Sequence, residues 1–187
     1  MMKKIYTMLM MAVMALAFTS CNEDAQIART LEGTWRGNMY ISSNWSDRTY
    51  NATYSEITFL KDPYRYSSGT GYWVDYYSDA PWDYVANHIE WRVDFGVIDI
   101  YFVEDGDRMQ IRDYRLDYDR FYGTIYGNGH TVDFELLNTS RPYYNDYRWG
   151  YDSWYDDWYY RDRTRNGEAG DADKAEKPKR FVNPDRE

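Results

Sequence analysis

Asn87-His88-Ile89-Glu90-Trp91-Arg92-Val93-Asp94-Phe95 alternates apolar and polar residues without a fault. Successive side chains of a strand point to opposite faces, so Ile89, Trp91, Val93 and Phe95 share one side, and His88, Glu90, Arg92 and Asp94 the other. One side belongs in a core and the other in water, as in an antiparallel sheet solvated on one face. The same period extends in both directions. Downstream, Gly96 turns the chain into Ile98, Ile100 and Phe102, and Asp105-Gly106 turns it into Met109 and Ile111. Past Asp113 the apolar phase shifts to Tyr114 and Leu116, which predicts a bulge that curls the sheet. Phe121, Gly123 and Ile125 form a further strand, and Gly127-Asn128-Gly129 returns it into Val132, Phe134 and Leu136.

Upstream, Trp35, Gly37, Met39 and Ile41 share a face of a first strand, and Ile57 and Phe59 mark a second. Tyr64 to Tyr76 forms a third, in which Gly69 and Gly71 permit sharp bending. Helical periodicity is absent from Thr34 to Leu137. Eight consecutive strands with short connections predict an all-β, antiparallel up-and-down meander, and rolling it into an eight-stranded barrel removes two exposed edges. The second and third strands alternate poorly, which leaves a five- or six-stranded open barrel or a sandwich as alternatives.

The N-terminus reads as an export signal: Lys3 and Lys4, an apolar run from Ile5 to Phe18, then Thr19-Ser20-Cys21. The run is shorter than the roughly 20 residues a spanning helix needs. Cys21 is the only cysteine, so the monomer can form no disulfide. Without Lys3 and Lys4, 20 basic residues face 31 acidic ones, a net charge of −11. Nucleic-acid binding is driven by clustered Lys and Arg, which the folded region lacks, so nucleic acid is excluded as a partner.

After Leu137 the composition changes. From Asn138 to Arg180 there is no Leu, Ile, Val, Met or Phe; Tyr, Trp, Asp and Arg dominate to about Arg165, then Gly, Glu, Ala and Lys. Residues 138–187 therefore read as an aromatic and acidic low-complexity tail, disordered in its last part. Tyr144, Tyr147, Tyr151, Trp154 and Trp158 recur as on one helix face, while Pro142 and Gly150 oppose a helix. A disordered tail and a short helix packed on the barrel wall both fit.

Thr19-Ser20-Cys21 after the apolar run resembles the lipobox of bacterial lipoproteins. The resemblance implies a signal peptide over 1–20, lipid attachment at Cys21 and a lipidated tether over 21–30. An ordinary signal peptide with an incidental cysteine is the alternative. Leu31-Glu32-Gly33-Thr34-Trp35-Arg36-Gly37 resembles the opening of lipocalin-like domains, in which a Gly-x-Trp element closes one end of the barrel. Gly69-Thr70-Gly71-Tyr72, Ile89-Glu90-Trp91-Arg92-Val93, Ile98-Asp99-Ile100 and Arg112-Asp113-Tyr114-Arg115-Leu116 follow in an order similar to small lipocalin-like lipoproteins of Gram-negative bacteria. The likeness spans residues 31–137. It implies a calycin-like barrel moored at the cell envelope, in the outer membrane, facing the periplasm or the cell surface.

An eight-stranded barrel is just wide enough to fill with side chains or to hold one small ligand. Trp73, Trp91, Phe95, Phe102 and Phe134 are the candidates to line such a site for a hydrophobic or amphipathic molecule, or to fill the space with Trp35. Tyr72, Tyr76, Tyr77, Trp82 and Tyr84 cluster at the third strand and the loop after it, where flat rings suit a glycan or a partner protein; tyrosine also fits strands for structural reasons alone. Catalysis is poorly supplied. His88 and His130 lack the spacing of a metal ligand set or of a base beside a nucleophile, and no complete calcium loop occurs. The expectation is a non-enzymatic binding protein without metal or cofactor.

Overall fold

The computed structural model describes residues 23–154 and 177–186. The signal stretch, Cys21 and Trp158 lie outside the described residues. Ten strands follow a helix over residues 23–31: β1 (Gly33–Asn38), β2 (Ile41–Trp45), β3 (Arg48–Lys61), β4 (Ser68–Tyr77), β5 (Tyr84–Asp94), β6 (Val97–Phe102), β7 (Arg108–Leu116), β8 (Arg120–Gly127), β9 (His130–Thr139) and β10 (Lys179–Val182).

From β3 to β9 each strand pairs antiparallel with the next, and β1 joins both ends, with Trp35 opposite Ile57 on β3 and Asn138 on β9. Eight strands thus close into a barrel, which leaves no free edge around this ring. Tight turns set the register. Phe95-Gly96, Ser46-Asp47 and Asn128-Gly129 each place both residues at positive φ, as two-residue hairpins between right-twisted strands require. The expected bulge lies between Arg112 and Arg115, where Asp113 takes φ 50° and the pairing with β8 slips.

The first expected strand is broken at Tyr40, φ 52°, into β1 and β2. Both pieces pair with the long β3, whose early half the sequence pattern did not reveal. The strand expected from Tyr64 begins only at Ser68; residues 62–67 form a loop.

Alternation fills the interior. Trp35, Ile57, Phe59, Trp73, Phe102, Phe121 and Ile125 are fully buried in one hydrophobic cluster. Trp35 meets Phe121 edge-on at 5.7 Å, and its Nε1 donates to the Leu31 carbonyl at 2.8 Å. That carbonyl belongs to the helix, which buries Ala28 and Leu31 against the barrel floor. Residues expected as a tether therefore form the helix that caps one end. Asp24 anchors its first turn, accepting from the backbone N–H groups of Phe95 and Gly96 at 3.1 and 2.9 Å.

The chain after β9 returns to the barrel. Of the two readings of the tail, packing on the wall describes residues 144–154, although they form short helical turns instead of one helix. β10 has no counterpart in the sequence pattern. It pairs antiparallel with β2 at the end opposite the helix, with Arg180 beside Ser43.

Candidate functional site

Four of the five residues expected to line an interior site are buried: Trp73, Trp91, Phe102 and Phe134. Trp73 and Phe102 meet edge-on at 5.2 Å, and Trp91 Nε1 donates to the Thr70 carbonyl at 2.8 Å. Phe95 is a correction. It is 81% exposed, because β5 stops at Asp94 and Phe95 becomes the first residue of the turn at φ 49°, pointing out of the barrel end.

Toward the end away from the helix, the tail supplies the contents of the barrel. Arg180 is fully buried; its Nε donates to Asp75 Oδ2 at 2.8 Å, Nη1 to Asp105 Oδ2 at 3.0 Å and Nη2 to Asn87 Oδ1 at 2.5 Å. The guanidinium lies 4.5 Å over the Phe102 ring. Asp75 also accepts from Ser55 Oγ at 2.6 Å and Trp73 Nε1 at 2.7 Å. Tyr151 enters from the wall segment: its hydroxyl shares a hydrogen bond with Ser43, which bonds Tyr77 in turn at 2.7 Å. Burial works against the Arg180 charge, but Asp75 and Asp105 outweigh it and raise its pKa. Burial pushes the Asp75 carboxyl up; the guanidinium and the hydrogen-bond donors counter that without bringing it back to the ordinary value. A buried charge is tolerated only when paired and hydrogen-bonded, and every nitrogen of this guanidinium has an acceptor.

The expected tyrosine cluster divides between the two faces of the sheet. Tyr77 and Trp82 are corrections: both are buried in the core, Tyr77 by the inward phase of β4 and Trp82 by edge-on packing against Trp45, Tyr50, Tyr77 and Tyr151. Tyr72, Tyr76 and Tyr84 point outward and are half-buried. Neighbouring strands add Tyr54 from β3 and His88 from β5 to the same face.

Residues 144–149 complete that face. Val74, Ala86 and Tyr144 form a small buried cluster on the outer wall. β6 pairs only with Ile89–Asp94 of β5, and the upper edge of β5 accepts the returning chain instead, Gly150 N–H donating to the Ala86 carbonyl at 2.7 Å. Rings then pack side by side: Tyr54 on Tyr76 at 4.5 Å, Tyr84 on Tyr147 at 4.8 Å, Tyr72 on Trp149 at 5.4 Å and Trp149 on His88 at 3.9 Å. The Tyr76 and Tyr147 hydroxyls bond each other at 2.6 Å. Arg36 lies 4.1 Å over Tyr54 and Arg141 5.4 Å over Tyr72. His88 Nδ1 sits 2.5 Å from Glu104 Oε1. Beneath the rings, burial raises the Glu56 carboxyl above its ordinary value against the pull of Arg36 and of the Tyr144 hydroxyl. Burial and hydrogen bonding to Tyr147 also push the Tyr76 hydroxyl up.

Tyr147 and Trp149 belong to this face although no local pattern puts them beside Tyr72. The usable signal was the spacing of Tyr144, Tyr147, Tyr151 and Trp154: all four approach the barrel, Tyr151 and Trp154 with the main core cluster, and Tyr144 and Tyr147 with the outer one. Among the described residues there is no group of three side chains placed to hold a metal ion, and no helix long and apolar enough to cross a membrane.

The closed eight-stranded antiparallel barrel is consistent with a calycin or lipocalin-like fold. Comparison with protein-family models and with curated proteins finds no match for this chain.

Proposed function

We propose that this chain is a non-enzymatic protein of the cell envelope, moored by lipid at Cys21 in the outer membrane, that recognises a partner protein through Tyr54, Tyr76, Tyr84, Tyr147 and Trp149. The observation that carries the reading is the composition of that face: half-buried Tyr and Trp flanked by Arg36 and Arg141, the residue types that dominate protein-interface hot spots. The rings are already packed against one another, and the Tyr76 and Tyr147 hydroxyls bond each other. A sugar ring needs a bare aromatic face, so the packing favours a protein over a glycan. The lipobox-like Thr19-Ser20-Cys21 supports the anchor, since two or more acyl chains suffice for stable attachment.

A photoreactive phenylalanine analogue in place of Trp149, in the full chain on intact cells, should give one discrete crosslinked species. The same analogue in place of Tyr122, on the opposite wall, should not. Equal crosslinking from the two positions would refute the reading.

One observation favours a second reading, a small amphipathic ligand inside the barrel. Arg180 fills a chamber walled by Trp73, Phe102, Asp75 and Asn87, which would open if β10 left. Native mass spectrometry of the gently extracted chain would then show a bound small molecule; the bare chain mass would end that reading.

A further inference from the structure

The two ends of the barrel differ in what their loops expose. At the helix end, three tips carry uncovered rings: Tyr64 (91% exposed) and Tyr66 (76%) between β3 and β4, Phe95 (81%) between β5 and β6, and Tyr118 (94%) between β7 and β8. Among the described residues, the loops at the other end expose no such ring; Trp82, in the loop between β4 and β5, is buried. A single exposed aromatic is ordinary, whereas one on every hairpin tip of a single end is not.

The helix locates this end relative to Cys21. Asp24 is hydrogen-bonded to the Phe95-Gly96 turn, and three residues of chain reach at most about 11 Å. Acyl chains on Cys21 would therefore enter a bilayer within about that distance of Asp24, beside the Phe95 tip. Beside the first turn of the helix, a cleft of about 540 Å³ walled by Ile27, Tyr114 and Leu116 continues the partly apolar surface toward β7.

We propose that the helix end is a membrane foot, with Tyr64, Tyr66, Phe95 and Tyr118 seated in the boundary between headgroups and acyl chains. Tyrosine, with one apolar and one polar part, favours that layer, and Phe95 adds apolar area beneath it. The inference rests on the lipid anchor at Cys21 for its orientation. The foot holds the barrel upright on its floor, and the outward faces of β3, β4 and β5 then stand along the membrane normal, open to a partner.

Two measurements test it. In the first, the exported chain with Cys21→Ser is sedimented with phosphatidylcholine and phosphatidylethanolamine vesicles, alongside a variant that adds Tyr64→Ser, Tyr66→Ser, Phe95→Asn and Tyr118→Ser. The parent should partition onto the vesicles, and the variant should partition roughly tenfold or more weakly. All four positions are exposed and Asn tolerates the positive φ at 95, so unchanged circular dichroism is expected; Tyr118→Ser alone serves if the combined variant misfolds. In the second, the full lipidated chain carries a spin label at Tyr118→Cys or Asp47→Cys, and oxygen accessibility should place only the first in the bilayer. A mass without acyl groups would end the anchor reading and leave the vesicle comparison to decide the foot. Equal partitioning of parent and variant, or a label at 118 as watery as one at 47, overturns the foot and makes the tips a protein contact or bare loops.

Discussion

Arg180→Met would show how much the returning strand contributes. The methionine keeps a flexible apolar stem near Phe102 but removes all three guanidinium hydrogen bonds, leaving the fully buried Asp75 with only Ser55 and Trp73 as donors. Breaking a buried pair by deleting one partner costs about 3–5 kcal/mol, because the remaining charge has lost both its water and its counterion. For a chain of this size that corresponds to a fall in Tm of about 6–20 °C. Urea unfolding followed by tryptophan fluorescence measures it. Adding Asp75→Asn to Arg180→Met should recover part of the loss, a coupling of about 0.5–3 kcal/mol between groups in contact. The pH dependence adds an independent signature. Without the guanidinium, the Asp75 carboxyl, already held above 3.8 by burial, rises further, so the folded variant binds that proton more tightly than the unfolded chain. Its deficit is then complete above the folded pKa and shrinks as pH falls toward 3.8. A loss below about 1 kcal/mol, with no coupling to Asp75, would refute the buried placement of Arg180.

Glu56→Gln should raise Tm in mildly alkaline buffer. Burial lifts the Glu56 pKa above 4.5 in the folded state, so its ionisation costs stability as pH rises through that window, and the advantage of the variant should vanish below pH 4.5. Differential scanning calorimetry across pH checks both ends. Gly71→Ala should destabilise by about 1–3 kcal/mol or more, since the new Cβ would lie 1.9 Å from the Thr58 carbonyl oxygen, a backbone atom fixed in β3. By contrast, Gly106→Asn should cost under about 1 kcal/mol, because nothing lies within 4 Å and asparagine accepts the positive φ.

The barrel was legible wherever alternation and turn chemistry agreed. Ile89, Trp91 and Val93 are inside, Asn128-Gly129 makes the turn, and the slip after Arg112 is where the apolar phase changes. Phe95 shows the limit of the pattern: alternation continues one residue too far because it registers hydrophobicity and not the positive φ that ends the strand. Tyr77 and Trp82 show another. Tyrosine and tryptophan suit either side of a sheet, so their direction depends on phase and on which rings await them. The outer face was half legible, since Tyr72, Tyr76 and Tyr84 could be grouped from β4 and β5, while the spacing of Tyr144, Tyr147, Tyr151 and Trp154 showed that the later segment packs on the barrel but not which strands receive it.

Local periodicity and turn residues determined an antiparallel meander, because both act between neighbours in the chain, whereas its closure needs β1 to meet β9 about a hundred residues later. Arg180 lies among Lys177, Pro178 and Lys179 and reads as one more solvated charge. Its burial becomes favourable only where Asp75, 105 residues earlier, meets Asn87 and Asp105 at the same end of the barrel. Tertiary structure alone decided that meeting, since the cost of desolvating a charge is offset by partners that no stretch of sequence brings together.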